Sequence, residues 1–255
     1  MAMGVGDGVG LMRASFGVVR QRPSLLWFPI ISTVCLALTA GFWIVQGAYV
    51  YAAHGSKIVY VPLVVAALYS LSFVGVFFNV ALAGAAAETF DGDDPSFGDG
   101  MNVAWNNLGG IAGWAAYSIV VAILLAFVRS IKGARWIGTA AQIAWSLATI
   151  FVVPLMAIED LDASDARRRS LELAKQNWKA ETGGLGALRL ALLVPGLLFY
   201  ADAKLLGGGH VHSLAGKTVL GAVLLCGFGV AVGASVVRQV FAVELYRSAA
   251  PTATA

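Results

Sequence analysis

The chain has 255 residues, of which 59% are hydrophobic and only 12% charged, with a formal net charge of +3 and a mean hydropathy of +0.79. Soluble domains are about 45–50% apolar and about 25% charged, so this balance argues against a water-soluble fold and calls for lipid around much of the surface. The small positive charge lies in clusters beside apolar stretches, as membrane topology requires and nucleic-acid binding does not, and no polar stretch is long enough to fold alone; 1–255 reads as a single integral membrane domain.

In chain order, the first expected element is an amphipathic helix over 8–22, with Met12, Phe16 and Val19 on one face and Arg13 and Arg20 elsewhere. A span follows at 25–50, too long for a cleavable leader, and a second at 59–87. The loop 88–95 holds Glu88, Asp91, Asp93 and Asp94, with no basic residue nearby in sequence. It lacks the calcium-loop pattern and reads as a solvated turn rather than a cation site. Ser96 and Asp99 after Pro95 have capping-box spacing and start a second amphipathic helix over 96–107, striped by Phe97, Met101, Trp105 and Leu108. Spans three and four are expected at 108–128 and 136–157, with Pro154 a candidate kink. A third amphipathic helix over 164–179 sets Leu171, Ala174 and Trp178 against Arg168, Glu172, Lys175 and Lys179. Span five, at 184–200, is short and contains Arg189 and Pro195; span six, at 218–243, carries Gly229 and Gly233 in a GxxxG spacing suited to close helix packing.

The fold class expected is therefore all-α: a polytopic bundle of six transmembrane helices. Superposing Phe16, Met101 and Leu171 brings Arg22, Asn107 and Asn177 into register six residues later, so the chain reads as three repeats of amphipathic surface helix plus transmembrane hairpin. Ten lysines and arginines fall on the side of the termini and six on the other, which places both termini in the cytoplasm. On the terminal side Arg20, Arg22, Arg168, Arg169 and Lys175 are the candidate lipid-headgroup residues, each worth about 1 kcal/mol beside an anionic leaflet.

Inside the spans Asn79 and Arg189 are the candidate polar residues, Arg189 as a partner of Glu159 or Glu181. His54, His210 and His212 lie in loops of the opposite side. His210 and His212 offer two imidazoles beside Gly207, Gly208 and Gly209, too loose a frame for a metal, so neither metal nor cofactor is expected. No GxSxG, HExxH, Walker loop or CxxC occurs, and the acidic loop and the histidines fall on opposite sides of the bilayer; no catalytic residues are assigned.

The stretches ASFGVVRQRPSLLWFPIIS, FFNVALAGAAAE, PSFGDGMNVAWNNLGGIAGWA and AWSLATIFVVPLMAIEDLDASDARRRSLELAKQNW resemble a family of bacterial six-span membrane proteins of unknown function, over roughly 11–245. The marks are Phe78-Asn79 followed by small residues, Asp99-Gly100 leading into a helix, and Pro154 followed by Glu159 and Arg169-Ser170. That family is distantly similar to the membrane portion of glycerophosphodiester phosphodiesterases. The resemblance implies a multi-pass protein of the bacterial inner membrane; no catalytic domain accompanies it here, so phosphodiesterase activity is not carried over. The function expected is a non-enzymatic scaffold or accessory subunit that binds membrane lipids, a partner membrane protein or a second copy of itself, with no nucleic acid. The alternative is a channel or small-solute transporter, which the prolines, Asn79 and Arg189 favour.

Overall fold

A computed structural model describes residues 4–53, 57–131, 135–206 and 214–249. Every regular element among them is helical: α1 (Val5–Gln21), a 3-10 turn (Pro23–Leu26), α2 (Trp27–Ala52), α3 (Lys57–Phe90), α4 (Phe97–Asn106), α5 (Leu108–Ser130), α6 (Arg135–Ala148), α7 (Val152–Glu159), α8 (Ala163–Leu206) and α9 (Leu214–Ala249). Among the described residues five segments are long and apolar enough to cross a membrane: Pro23–Ala52, Ile58–Phe90, Leu108–Ser130, Trp136–Glu159 and Gly227–Ala249. They mark a multi-pass membrane protein. The stretch expected as span five lies within α8, and most of its side chains fall outside the described residues.

Helix starts follow local chemistry. Ser96 caps α4, its hydroxyl accepting from the Asp99 amide while Asp99 accepts from the Ser96 amide at 2.7 Å. Pro23 opens the 3-10 turn that separates α1 from α2, where a missing amide costs nothing. At the start of α8, Asp162 Oδ1 accepts from the amides of Ser164 and Asp165, both at 2.9 Å.

Two elements differ from the expected pattern. The segment 136–157 is not one kinked helix: it breaks at Thr149–Phe151 into α6 and α7. Pro154 sits in the first turn of α7, where its ring and absent N–H are tolerated, so the break precedes it by three residues. The Ala148 carbonyl freed there accepts from Ser170 Oγ at 2.8 Å. Conversely, the amphipathic helix 164–179 and the span after it are continuous, and α8 is about 66 Å long at 1.5 Å per residue. Gly183 and Gly184 do not interrupt it because Val5 of α1 and Phe241 of α9 pack against them.

The buried core lies at one end of the molecule, here termed the base. It joins Leu25 and Phe28, Phe77–Ala87 of α3, Ala104 of α4, Ile111 and Trp114 of α5, Phe151–Met156, the first half of α8, and Val236–Tyr246 of α9. At the other end the hairpins open outward: Leu38, Ile44 and Tyr49 of α2, Ile58 and Val61 of α3, and Leu124 and Phe127 of α5 are exposed. Lipid tails solvate such side chains as well as protein does, so their exposure is compatible with a membrane-spanning chain. α3 is the hub, packing on α2, α4, α5, α7 and α9. Its small-residue face is used: at Gly100 of α4 a Cβ would lie 2.5 Å from the Ala81 carbonyl oxygen. Among the described residues nothing lies within 4 Å of a Cβ built at Gly229 or Gly233 of the α9 GxxxG.

Candidate functional site

The sequence places five basic residues at the headgroups, and the structure divides them. Arg20 of α1 and Lys175 of α8 are exposed and make no ion pair among the described residues. Arg168 is exposed and pairs with Asp165 one turn earlier, at 3.1 Å. Arg22 and Arg169 have structural partners instead. Arg22 pairs with Asp94 in the loop after α3, and Arg169 Nη2 lies 3.2 Å from Glu159, which also accepts from the Tyr246 hydroxyl and is only 15% exposed. Arg169 thus joins α8, α7 and α9. Three tryptophans, Trp27, Trp105 and Trp178, stand exposed around the same base, in the amphipathic position that membrane interfaces favour.

The amphipathic helices do not lie freely on a surface. α1 buries Gly8, Met12 and Ser15 against α8 and α9 and leaves Phe16, a member of its expected apolar face, 43% exposed. Small side chains allow the closest helix approach, so they, rather than the bulkiest, face inward. A Cβ at Gly8 would lie 1.9 Å from the Ala180 carbonyl oxygen. Ser15 Oγ donates to Glu244 Oε2 at 2.7 Å. In α8 Leu171 and Trp178 are likewise exposed while Ala166, Ser170, Ala174 and Asn177 are buried.

The acidic loop is an exposed turn, as expected, but two of its carboxylates have distant partners. Asp94 meets Arg22, and Asp91 meets Arg247, which also donates to the Ala87 carbonyl at 3.1 Å. The Arg247 hydrogen bond holds the Asp91 carboxyl below the usual carboxylate range. The sequence separates these partners by 72 and 156 positions, so no local pattern announces them. A comparable clasp closes the second hairpin: Asn107 Nδ2 donates to the Met156 carbonyl at 2.6 Å and to Asp160 Oδ1 at 2.9 Å. Asp160 stands at φ 51°, a left-handed backbone that aspartate tolerates better than most residues.

Asn79 does not face the bundle; it is exposed between buried Phe78 and Val80. The Arg189 side chain, His54, His210 and His212 lie outside the described residues. Of the partners expected for Arg189, Glu159 is taken by Arg169 and Tyr246. Glu181 is fully enclosed and neither of its oxygens has a hydrogen-bond partner among the described residues; desolvation pushes its carboxyl up to about 8, which favours the neutral form. No group of three metal-ligating side chains occurs among the described residues.

Between α6 and α8 runs a half-open groove of about 160 Å³, lined by Ile143, Ser146, Leu147, Thr182, Leu185 and Gly186. Elsewhere on α6, Trp145 stacks on Trp114 of α5 at 5.7 Å, and Arg167 of α8 lies over the Tyr117 ring at 4.8 Å, donating to its hydroxyl at 2.9 Å. Sequence reading missed the groove and the clasps because both arise where helices remote in sequence meet. Asn107 carried one signal, its place in the repeat register.

A family model described as "Family of unknown function (DUF6159)" matches residues 55–250, which takes in α3 to α9 and leaves out α1 and α2. No curated protein and no solved structure matches the chain.

Proposed function

We propose, from the premise that the chain belongs to this family of unknown function, that it is a non-catalytic membrane scaffold or accessory subunit that holds anionic lipid around its base. One observation carries the reading: exposed Arg20, Lys175 and Arg168 and exposed Trp27, Trp105 and Trp178 surround a packed base from which apolar hairpins open toward lipid. Cations and amphipathic rings at that level suit phosphate and ester groups.

The proposal includes six spans in three repeated units, in a bacterial plasma membrane with both termini cytoplasmic. Burial supports the repeat: in the register of Phe16, Met101 and Leu171, the preceding residues Ser15, Gly100 and Ser170 are all buried, and so are Leu25, Gly110 and Ala180. The clasps support it too, since Arg22 and Asn107 hold in the same register and each reaches an aspartate beyond its own hairpin, Asp94 or Asp160. The likeness to the membrane portion of glycerophosphodiester phosphodiesterases contributes an architecture to this reading and no reaction. The transporter alternative loses one support in the outward position of Asn79.

Native mass spectrometry of the protein extracted gently from its own membranes tests the proposal. A stoichiometric anionic lipid or partner protein is expected, and Arg20→Gln with Lys175→Gln should release the lipid. A bare protein that conducts solutes in proteoliposomes would replace this reading with the transporter.

A further inference from the structure

The groove between α6 and α8 has two features that belong together. Its walls are aliphatic at Ile143, Leu147 and Leu185, with hydroxyls only at Ser146 and Thr182. Thr182 spends its hydroxyl on the carbonyls of Trp178 and Lys179, and the Ile143 rim is exposed. A cavity of about 150 Å³ with aliphatic walls takes up apolar groups rather than water, so this one suits hydrocarbon.

The second feature is charge. Lys175, Lys179, Thr182 and Gly186 follow one another at spacings of four, three and four, which places them on one face of α8. The face that forms the groove wall therefore continues toward the base as two exposed lysines, with the Lys179 ammonium 5.8 Å from the Trp178 ring. The opposite face of the same turns, at Ala180 and Gly184, is spent on α1 and α9. A slot for hydrocarbon that leads to two cations beside a tryptophan matches an amphiphile with an anionic head.

We infer that the α6–α8 groove is a specific site for one anionic phospholipid, with an acyl chain along Ile143, Leu147 and Leu185 and its phosphate at Lys175 and Lys179. This rests on the lipid-holding reading above and deepens it from a general rim to one defined site. Ser146 Oγ, which makes no hydrogen bond among the described residues, is a donor in the groove lining for an ester carbonyl.

The test uses the full chain in phosphatidylcholine vesicles doped with phosphatidylglycerol that carries a photoreactive diazirine on its acyl chain, with adducts mapped by mass spectrometry. Adducts should concentrate at 143–147 and 182–186, and the same diazirine on phosphatidylcholine should label them less, on the order of fivefold less for each lysine engaged. Lys175→Gln with Lys179→Gln should erase that headgroup preference. Gly186→Leu should remove the adducts without unfolding the protein, because nothing among the described residues lies within 4 Å of a Cβ at Gly186. Equal labelling by both headgroups, labelling spread evenly over all helices, or groove adducts from a bound protein segment would overturn the site. Native mass spectrometry of the same sample separates the two levels: anionic lipid retained without groove adducts overturns this site alone, whereas no retained lipid and no adducts overturn the lipid-holding reading with it.

Discussion

Glu181 of α8 departs far from what its chemistry prefers, being enclosed with no hydrogen-bond partner among the described residues. Its folded carboxyl is raised to about 8 from 4.5. Between those values the unfolded chain has released a proton that the folded chain keeps, so stability is fully present below 4.5 and is lost as pH rises toward 8. Thermal unfolding of the wild type should accordingly weaken across that window, and Glu181→Gln should flatten the dependence and be the more stable of the two at its upper end. A wild-type midpoint constant with pH would refute this. The two clasps give a second contrast. Asn107→Ala leaves the buried Met156 carbonyl without its donor and should cost about 1–3 kcal/mol. Arg22→Ala removes a pair whose aspartate is 78% exposed and should cost no more than about 1 kcal/mol, read from denaturant midpoints.

Helix packing is decided by how closely backbones approach, and α1 shows this best. Its inward face is Gly8, Met12 and Ser15, and the Gly8 backbone touches Ala180 so closely that no side chain fits. Gly10, two residues on, has open space around it. Alanine is the better helix former by roughly 0.5–1 kcal/mol, so Gly10→Ala should raise the melting temperature slightly. Gly8→Ala should lower it, by about 1–3 kcal/mol of overpacking, and expose 5–21 to limited proteolysis. If both variants melt alike, α1 is not docked as described. The break between α6 and α7 follows the same logic, because the carbonyl that the turn frees is taken by Ser170 of a neighbouring helix rather than left bare.

On the scale of the whole molecule, two environments divide one chain. The base holds its core and its ion pairs, while the hairpins turn apolar side chains outward: within the apolar 18-residue stretch of each, 6% of α2 and 11% of α3 is buried. Such a shape depends on lipid to fill the spaces between hairpins. Returning anionic lipid to a delipidated detergent sample should therefore raise the unfolding temperature in a dose-dependent way, by about 2.7 kcal/mol at a hundredfold excess over Kd. Arg20→Gln with Lys175→Gln should blunt the rise and leave the lipid-free midpoint in place, since neither residue makes an ion pair among the described residues. A rise of the same size with phosphatidylcholine would show that charge does not matter.

Hydropathy is additive along a chain and needs no partner, so the sequence by itself determined the multi-pass membrane class, the apolar runs that became α2, α3 and α5, and the Ser96 cap on α4. It also marked Asn107 through the register it shares with Arg22. Only the tertiary structure decided which cations have ion-pair partners among the described residues. Arg20 and Lys175 look no different in sequence from Arg22 and Arg169, yet the latter pair meets Asp94 and Glu159 across helices. The same holds for the face by which α1 docks: periodicity groups Met12, Phe16 and Val19, whereas packing buries Gly8, Met12 and Ser15 and leaves Phe16 exposed. An ion pair, a groove or a close backbone contact depends on the distance between elements far apart in the chain, and that distance is set only when the helices pack together.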